Sequence, residues 1–166
     1  NAVHALGEEF PLLADIVRGL RSDTALETDI GSNILSEDEV SDTASAELYR
    51  IRTGIRALNE RIRARLSEAL AGEEAKYLRE GIVTVRDNRY VLPVRAEYKG
   101  KVRGFVHDRS ASGATFFIEP EYILEMNNEL RELAAEEREE VERILAQLSR
   151  RVGALRAELE EDVARL

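Results

Sequence analysis

The residues best equipped for chemistry in this chain lie between positions 86 and 113. Seven cations, Arg86, Arg89, Arg95, Lys99, Lys101, Arg103 and Arg109, share positions 82–109 with only three acidic groups, Asp87, Glu97 and Asp108. Guanidinium forks fit phosphate oxygens, and Tyr90 and Tyr98 are near enough in sequence to offer stacking surfaces. The expected chemistry is contact with the phosphates of a polyanion, without reading of bases. The alternatives are that these cations pair with acidic arms of a neighbouring copy, or simply solubilise a small sheet.

Groups for catalysis are sparse. His107, Asp108, Ser110 and Ser112 have the residue types of a hydrolytic triad. Neighbours on a strand point to opposite faces, however, and a nucleophilic serine needs a base and an orienting carboxylate converging on it. The stretch reads instead as a turn in which Asp108, Ser110, Ser112 and Gly113 serve backbone groups. Gly100-Lys101 lacks the upstream glycines and the following Ser or Thr of a phosphate-binding loop. With no cysteine and only His4 and His107 as imidazoles, a structural zinc site has no ligand set. The run Glu136, Glu137, Glu139, Glu140 and Glu142 reads as a solvated helix face, with Arg138 and Arg143 interspersed. No catalytic residue, metal or cofactor is expected in this chain.

Charge is segregated. The net charge is −9, which argues against a generic nucleic-acid binder. Residues 1–81 carry −6, residues 82–109 carry +4 and residues 119–166 carry −7. One basic island therefore sits between two acidic arms, and such an island attracts polyanions locally. Hydrophobic residues make up 43% but aromatics only 5%, with no Trp, a composition suited to long helices packing Leu, Ile, Val and Ala. No apolar run approaches the ~20 residues of a membrane span, so no membrane partner is expected. The absence of cysteine is compatible with a reducing cytoplasm. An initial Asn and a helical pattern that continues through Leu166 suggest a piece of a longer protein.

The elements expected to position the island follow from hydrophobic periodicity. Phe10, Leu13, Ile16, Val17 and Leu20 predict a short amphipathic helix over residues 8–20. A connector is expected from Arg21 to Asn33. Ser36-Glu37-Asp38-Glu39 has the spacing of a capping box, and apolar residues at steps of 3 or 4 from Val40 to Ala69 predict one helix ending near Gly72. Its 35 or so residues would span roughly 52 Å. A second apolar stripe, opened by Pro120 and running from Ile123 to Leu166, predicts a partner helix. Between them, strands are expected at 82–85, 90–94, 102–108 and 115–118. Turns are expected at Asp87-Asn88, Lys99-Gly100 and Ser110–Gly113. Pro93 cannot donate to a ladder, which predicts an edge strand or a bulge there. Lys99, Lys101 and Arg103 are expected on one side of an extended segment. The fold class is mainly α with a small antiparallel sheet insert (α+β), a long antiparallel helical stalk carrying a β tip.

Several stretches are similar to the second bacterial MutS subfamily, the Smr-bearing MutS paralogue. They are Tyr77-Leu78, Ile82-Val83-Thr84-Val85-Arg86-Asp87-Asn88-Arg89-Tyr90-Val91-Leu92-Pro93-Val94-Arg95, Val106 to Thr115, Glu119-Pro120 and Asn127-Asn128-Glu129-Leu130. The spacing of these motifs across more than 50 residues makes the resemblance specific. It implies a core helix and connector (1–35), a first lever helix (36–80), a β clamp (81–118) and a second lever helix (119–166). For the parent protein it implies a cytoplasmic homodimer with an ABC-type ATPase using ATP and Mg, then a C-terminal Smr nuclease. It further implies suppression of recombination through branched DNA, and rescue of collided ribosomes through contacts that include ribosomal RNA. His107, Asp108 and the Ser110–Gly113 turn are assigned to hold the clamp against the stalk, with Pro120, Asn127 and Asn128 as further structural positions. A dimerisation scaffold without nucleic-acid contact is the competing reading.

Overall fold

A computed structural model of the chain describes residues 22–165 together with positions 11, 16, 19 and 20. The helix expected over 8–20 lies for the most part outside the described residues. In chain order, the described elements are α1 (Thr24–Asn33), β1 (Ile34–Ser36), β2 (Glu39–Val40), α2 (Ala46–Ala71), β3 (Thr84–Arg86) and β4 (Arg89–Arg95). There follow β5 (Gly104–Arg109), β6 (Thr115–Pro120), α3 (Leu124–Ala154) and α4 (Arg156–Arg165). The fold is mixed, with four described helices and two small antiparallel sheets. Two compact units partition it, Asn1–Ala46 with Glu140–Leu166, and Glu47–Glu139. No helix among the described residues is long and apolar enough to cross a membrane.

The first unit departs from expectation in three places, two of them before α2. The connector predicted at 21–33 is the helix α1. Its first turn is capped by Asp23, whose Oδ1 accepts from the Leu26 N–H at 2.9 Å, and Leu26 is buried. That cap and that burial outweigh Gly31, which costs about 1 kcal/mol in a helix. The helix predicted to start at Ser36 begins at Ala46 instead. Residues 34–40 form a hairpin, with Ile34 opposite Val40. The Ser36 hydroxyl accepts from the Asp38 N–H at 3.4 Å, so the polar groups read as a capping box serve a tight turn, which uses the same hydrogen-bonding capacity. The helix α2 therefore spans about 39 Å.

The stripe expected to run unbroken to Leu166 is interrupted at Leu155. There the Leu155 N–H bonds the Val152 carbonyl at 3.0 Å, an i−3 tightening that ends α3 beside the weak helix former Gly153. In this unit Ser45 Oγ donates to Glu140 at 2.6 Å and Arg143 Nε donates to it at 2.7 Å. The Arg143 guanidinium, with help from Ser45, holds the Glu140 carboxyl down to about 2.

The second unit carries the four-stranded sheet, in the order β3-β4-β6-β5. Asp87 and Asn88 both take positive φ, 49° and 58°, the turn geometry that matches strand twist in a two-residue hairpin. Its core joins Leu58, Ile62 and Leu66 of α2 to Tyr90, Leu92 and Val94 of β4, Ile118 of β6 and Ile123. Alternation on β4 sends Leu92 and Val94 toward this core and Pro93 and Arg95 to the other face.

Contrary to expectation, the strand holding Pro93 is interior. The Arg79 N–H reaches the Pro93 carbonyl at 2.8 Å, so the proline nitrogen faces the same flank. There β3 has already ended, its last pair being Thr84 with Val91. The missing donor therefore breaks no ladder bond. Leu133 lies over Gly54, where an added Cβ would meet its Cδ1 at 3.4 Å, Arg50 pairs with Glu136 at 3.2 Å and Arg52 with Glu137 at 2.7 Å. Within this unit α2 and α3 thus meet in opposite order.

Candidate nucleic-acid interface

The seven cations of the island fall into four groups. Arg89 is committed to the interior. Its Nη1 donates to Glu119 Oε1 and its Nη2 to Asn128 Oδ1, both at 2.6 Å, and its side chain is only 12% exposed. Arg86 is partly committed. Its guanidinium lies 4.3 Å from the Phe117 ring centroid and its Nε 3.5 Å from Asp108. Lys99 and Arg109 flank a second aromatic, Phe116, at 4.6 and 5.8 Å. Arg95, Lys101 and Arg103 are exposed and make no ion pair with any described residue.

The expected alternation of Lys99, Lys101 and Arg103 along a strand is not found. Ala96–Tyr98 is a 3-10 turn and β5 starts only at Gly104. Val102 is buried there, and its anchoring lifts the flanking Lys101 and Arg103 into solvent. Arg95, Lys99, Lys101, Arg103 and Arg109 are thus exposed on the sheet and its β4–β5 connection, and each cation that meets a phosphate releases condensed counterions.

Beneath the island lies a buried polar cluster centred on Glu119, which is 1% exposed. Asn127 Nδ2 donates to Glu119 Oε1 at 2.7 Å and His107 Nε2 contacts Oε2 at 2.5 Å. Asn127 also bonds both backbone groups of Tyr90, at 3.1 and 3.0 Å. Strands β4, β5 and β6 and helix α3 are thereby tied through one carboxylate. Pro120, expected to open a helix, is instead the last residue of β6 and precedes the 3-10 turn Glu121–Ile123.

Ser110 and Gly113 build the turn between β5 and β6. Ser110 Oγ accepts from the Thr115 N–H at 3.0 Å, and Gly113 takes φ +73°. Ser112 Oγ lies 3.4 Å from Ser110 Oγ. His107 reaches Glu119 while Asp108 pairs with Arg86 and bonds the Arg109 N–H. The four groups of the would-be triad therefore do not converge. No group of three or more His, Asp or Glu that could hold a metal ion occurs among the described residues.

The residues missed by sequence reasoning are Glu119, as a buried hub, and the pair Phe116-Phe117, as platforms for cations. Two adjacent aromatics on a strand, flanked in register by basic residues, were the available signal. Nothing local marks Glu119 as buried, since its partners come from positions 89, 107 and 127.

No protein-family model matches the chain. Curated relatives do. One from Agathobacter rectalis is 46% identical over 151 residues, covering 90% of this chain. One from Clostridium tetani is 49% identical over 140 residues, covering 84%. One from Symbiobacterium thermophilum is 50% identical over 142 residues, covering 86%. All three are named endonuclease MutS2, and this chain spans 18–19% of their length. Over most of its length, then, the chain is similar to one stretch, about a fifth, of proteins named endonuclease MutS2.

Proposed function

We propose that this chain is the lever-and-clamp part of a MutS2-type protein, and that its basic sheet grips the phosphates of structured nucleic acid. The targets are branched DNA and folded ribosomal RNA. The observation that carries this reading is the set of exposed cations Arg95, Lys99, Lys101, Arg103 and Arg109 on one sheet and its β4–β5 connection, in a chain whose net charge is −9. Arg89 plays no part in the grip, because Glu119 and Asn128 hold it. Its role is to fix β4, the strand that ends in Arg95 and leads into the connection bearing Lys99, Lys101 and Arg103.

In this reading α2 and α3 are the lever, a long antiparallel stalk with the sheet at its tip. Backbone hydrogen bonds resist compression along each helix, so motion driven by ATP elsewhere in the parent homodimer reaches the clamp. The chemistry of ATP and Mg, and of cleavage, belongs to other parts of that protein. A dimerisation scaffold is favoured by one observation in the first unit. Leu145, Val152, Leu159 and Val163 are exposed along an apolar groove that also includes Ile30 and Ile34.

Binding to a four-way DNA junction and to a ribosomal RNA fragment, titrated from 50 to 200 mM salt, separates the two readings. The clamp predicts an affinity loss of up to about 500-fold for five phosphate contacts, at about 0.9 in log–log slope per phosphate neutralised on duplex DNA. Concentration-dependent dimerisation without binding to either nucleic acid would leave only the scaffold.

A further inference from the structure

Resting on that reading of the clamp, we propose that the sheet face opposite the core holds one unpaired nucleotide of the bound strand. Its base stacks on the Arg86–Phe117 pair and its phosphate meets Arg79. A cavity of about 410 Å³ opens on this face, lined by both arginines, Phe117 and the hydroxyl residues Ser110 and Ser112. Register places Pro93 opposite Phe117 there, on the face away from Leu92 and Val94, and the half-exposed Ile82 lines the same space.

The lining has two chemistries. Ile82, Pro93 and Phe117 give an apolar floor that a bare phosphate backbone would leave uncovered. Arg86 supplies a planar surface whose orientation is fixed by three contacts. Its guanidinium lies over Phe117 at 4.3 Å, Nη1 donates to the Val85 carbonyl at 3.0 Å and Nε lies 3.5 Å from Asp108. Asp108 offsets part of its charge, so Arg86 is better suited to stacking than to phosphate capture, and guanidinium planes and aromatic rings are the surfaces on which unpaired bases stack.

Arg79 is different. It lies outside the 86–109 island, is exposed and makes no ion pair with any described residue, which leaves its full charge for a phosphate. Ser110 and Ser112 add hydroxyl groups to the lining of the same cavity. Glu80, the one carboxylate lining the cavity, can accept from the exocyclic amino group of a base. The volume lies near the small end of the roughly 300–1,000 Å³ that encloses small ligands. One nucleotide fits, whereas a duplex keeps its bases in their own stack.

The test uses a short single-stranded oligonucleotide with a central 2-aminopurine and a fluorescein at its end. Fluorescein anisotropy reports binding and 2-aminopurine emission reports stacking. We expect anisotropy to rise and 2-aminopurine emission to fall severalfold on adding protein. Phe117→Leu and Arg79→Ala should each weaken binding of the strand by roughly fivefold or more. Arg79 is exposed, so its variant reports even if Phe117→Leu unsettles the sheet, a point checked by far-UV circular dichroism. A rise in anisotropy with undiminished 2-aminopurine emission, or full affinity in Arg79→Ala, would overturn this inference and leave the phosphate grip standing. No rise in anisotropy at any protein concentration at low salt would overturn this inference alone if the four-way junction still binds, and the phosphate grip as well if the junction does not bind either.

Discussion

Replacing Arg89 with Ala removes the counter-charge of a carboxylate that has almost no access to water. The Arg89 Nη1 stands 2.6 Å from Glu119 Oε1, with side chains 12% and 1% exposed. At an effective dielectric constant near 20, that separation corresponds to about 6 kcal/mol of attraction, much of it offset by the cost of drying both groups. In the variant the attraction is gone and Glu119 keeps its desolvation cost, with only Asn127 and His107 as partners. Truncating one partner of a buried pair costs roughly 3–5 kcal/mol, a large share of a typical stability of about 5–15 kcal/mol.

Urea unfolding followed by far-UV circular dichroism reads this directly. With a slope of about 2 kcal/mol per molar, the midpoint should fall by about 1.5–2.5 M. Arg50→Ala is the matched control. Arg50 touches Glu47 at 2.7 Å and Glu136 at 3.2 Å, but it is 58% exposed, and solvent-exposed pairs of this kind add little to stability. Equal midpoint shifts in the two variants would refute the account of Glu119 as the hub of the sheet.

Other consequences follow from single contacts. A Cβ at Gly104 would stand 2.0 Å from the Glu119 carbonyl oxygen and 2.9 Å from Pro120 Cα. Gly104→Ala must therefore push β5 off β6, and should cost at least about 2 kcal/mol in the same urea assay. Glu140 gives a pH dependence. Its folded carboxyl sits at about 2 against an ordinary 4.5, so the folded state binds fewer protons between those values. Its contribution is fully present above about pH 5 and lost as pH falls toward 2. With Arg143 half exposed, the amount is on the order of 1–2 kcal/mol. Arg143→Ala should lower the unfolding midpoint clearly at pH 7 and much less at pH 2, where about half of the folded Glu140 carboxyl is protonated.

Local signals in the sequence carried the sheet but not its interior. Asp87-Asn88, the Ser110–Gly113 turn and the stop at Gly72 are visible because turn and cap chemistry is confined to a few residues. Ser36-Glu37-Asp38-Glu39 shows the limit of that logic, since a hydroxyl followed by carboxylates suits a hairpin turn as well as a helix start. The decision came from Ile34 facing Val40 across the turn, a pairing no capping rule counts. Similarly, Gly31 and Ser32 looked like breakers, yet Asp23 and the buried Leu26 support a helix through them. Within the site, the charge of the island was legible as composition. That Arg89 is committed to Glu119 was not, because the pair spans 30 residues and depends on the β4–β6 register.

The central claim is that the cations of the sheet, rather than charge in general, grip nucleic acid. Two variants of equal net charge test it. One replaces Arg95, Lys99, Lys101, Arg103 and Arg109 with Ala. The other replaces five helix arginines, Arg61, Arg131, Arg138, Arg150 and Arg156. Binding to a four-way DNA junction across salt concentrations should give the sheet variant a slope shallower by up to about 4.5, at roughly 0.9 per lost phosphate contact, and the helix variant an unchanged slope. Equal losses in both variants, or none in the sheet variant, would contradict the assignment.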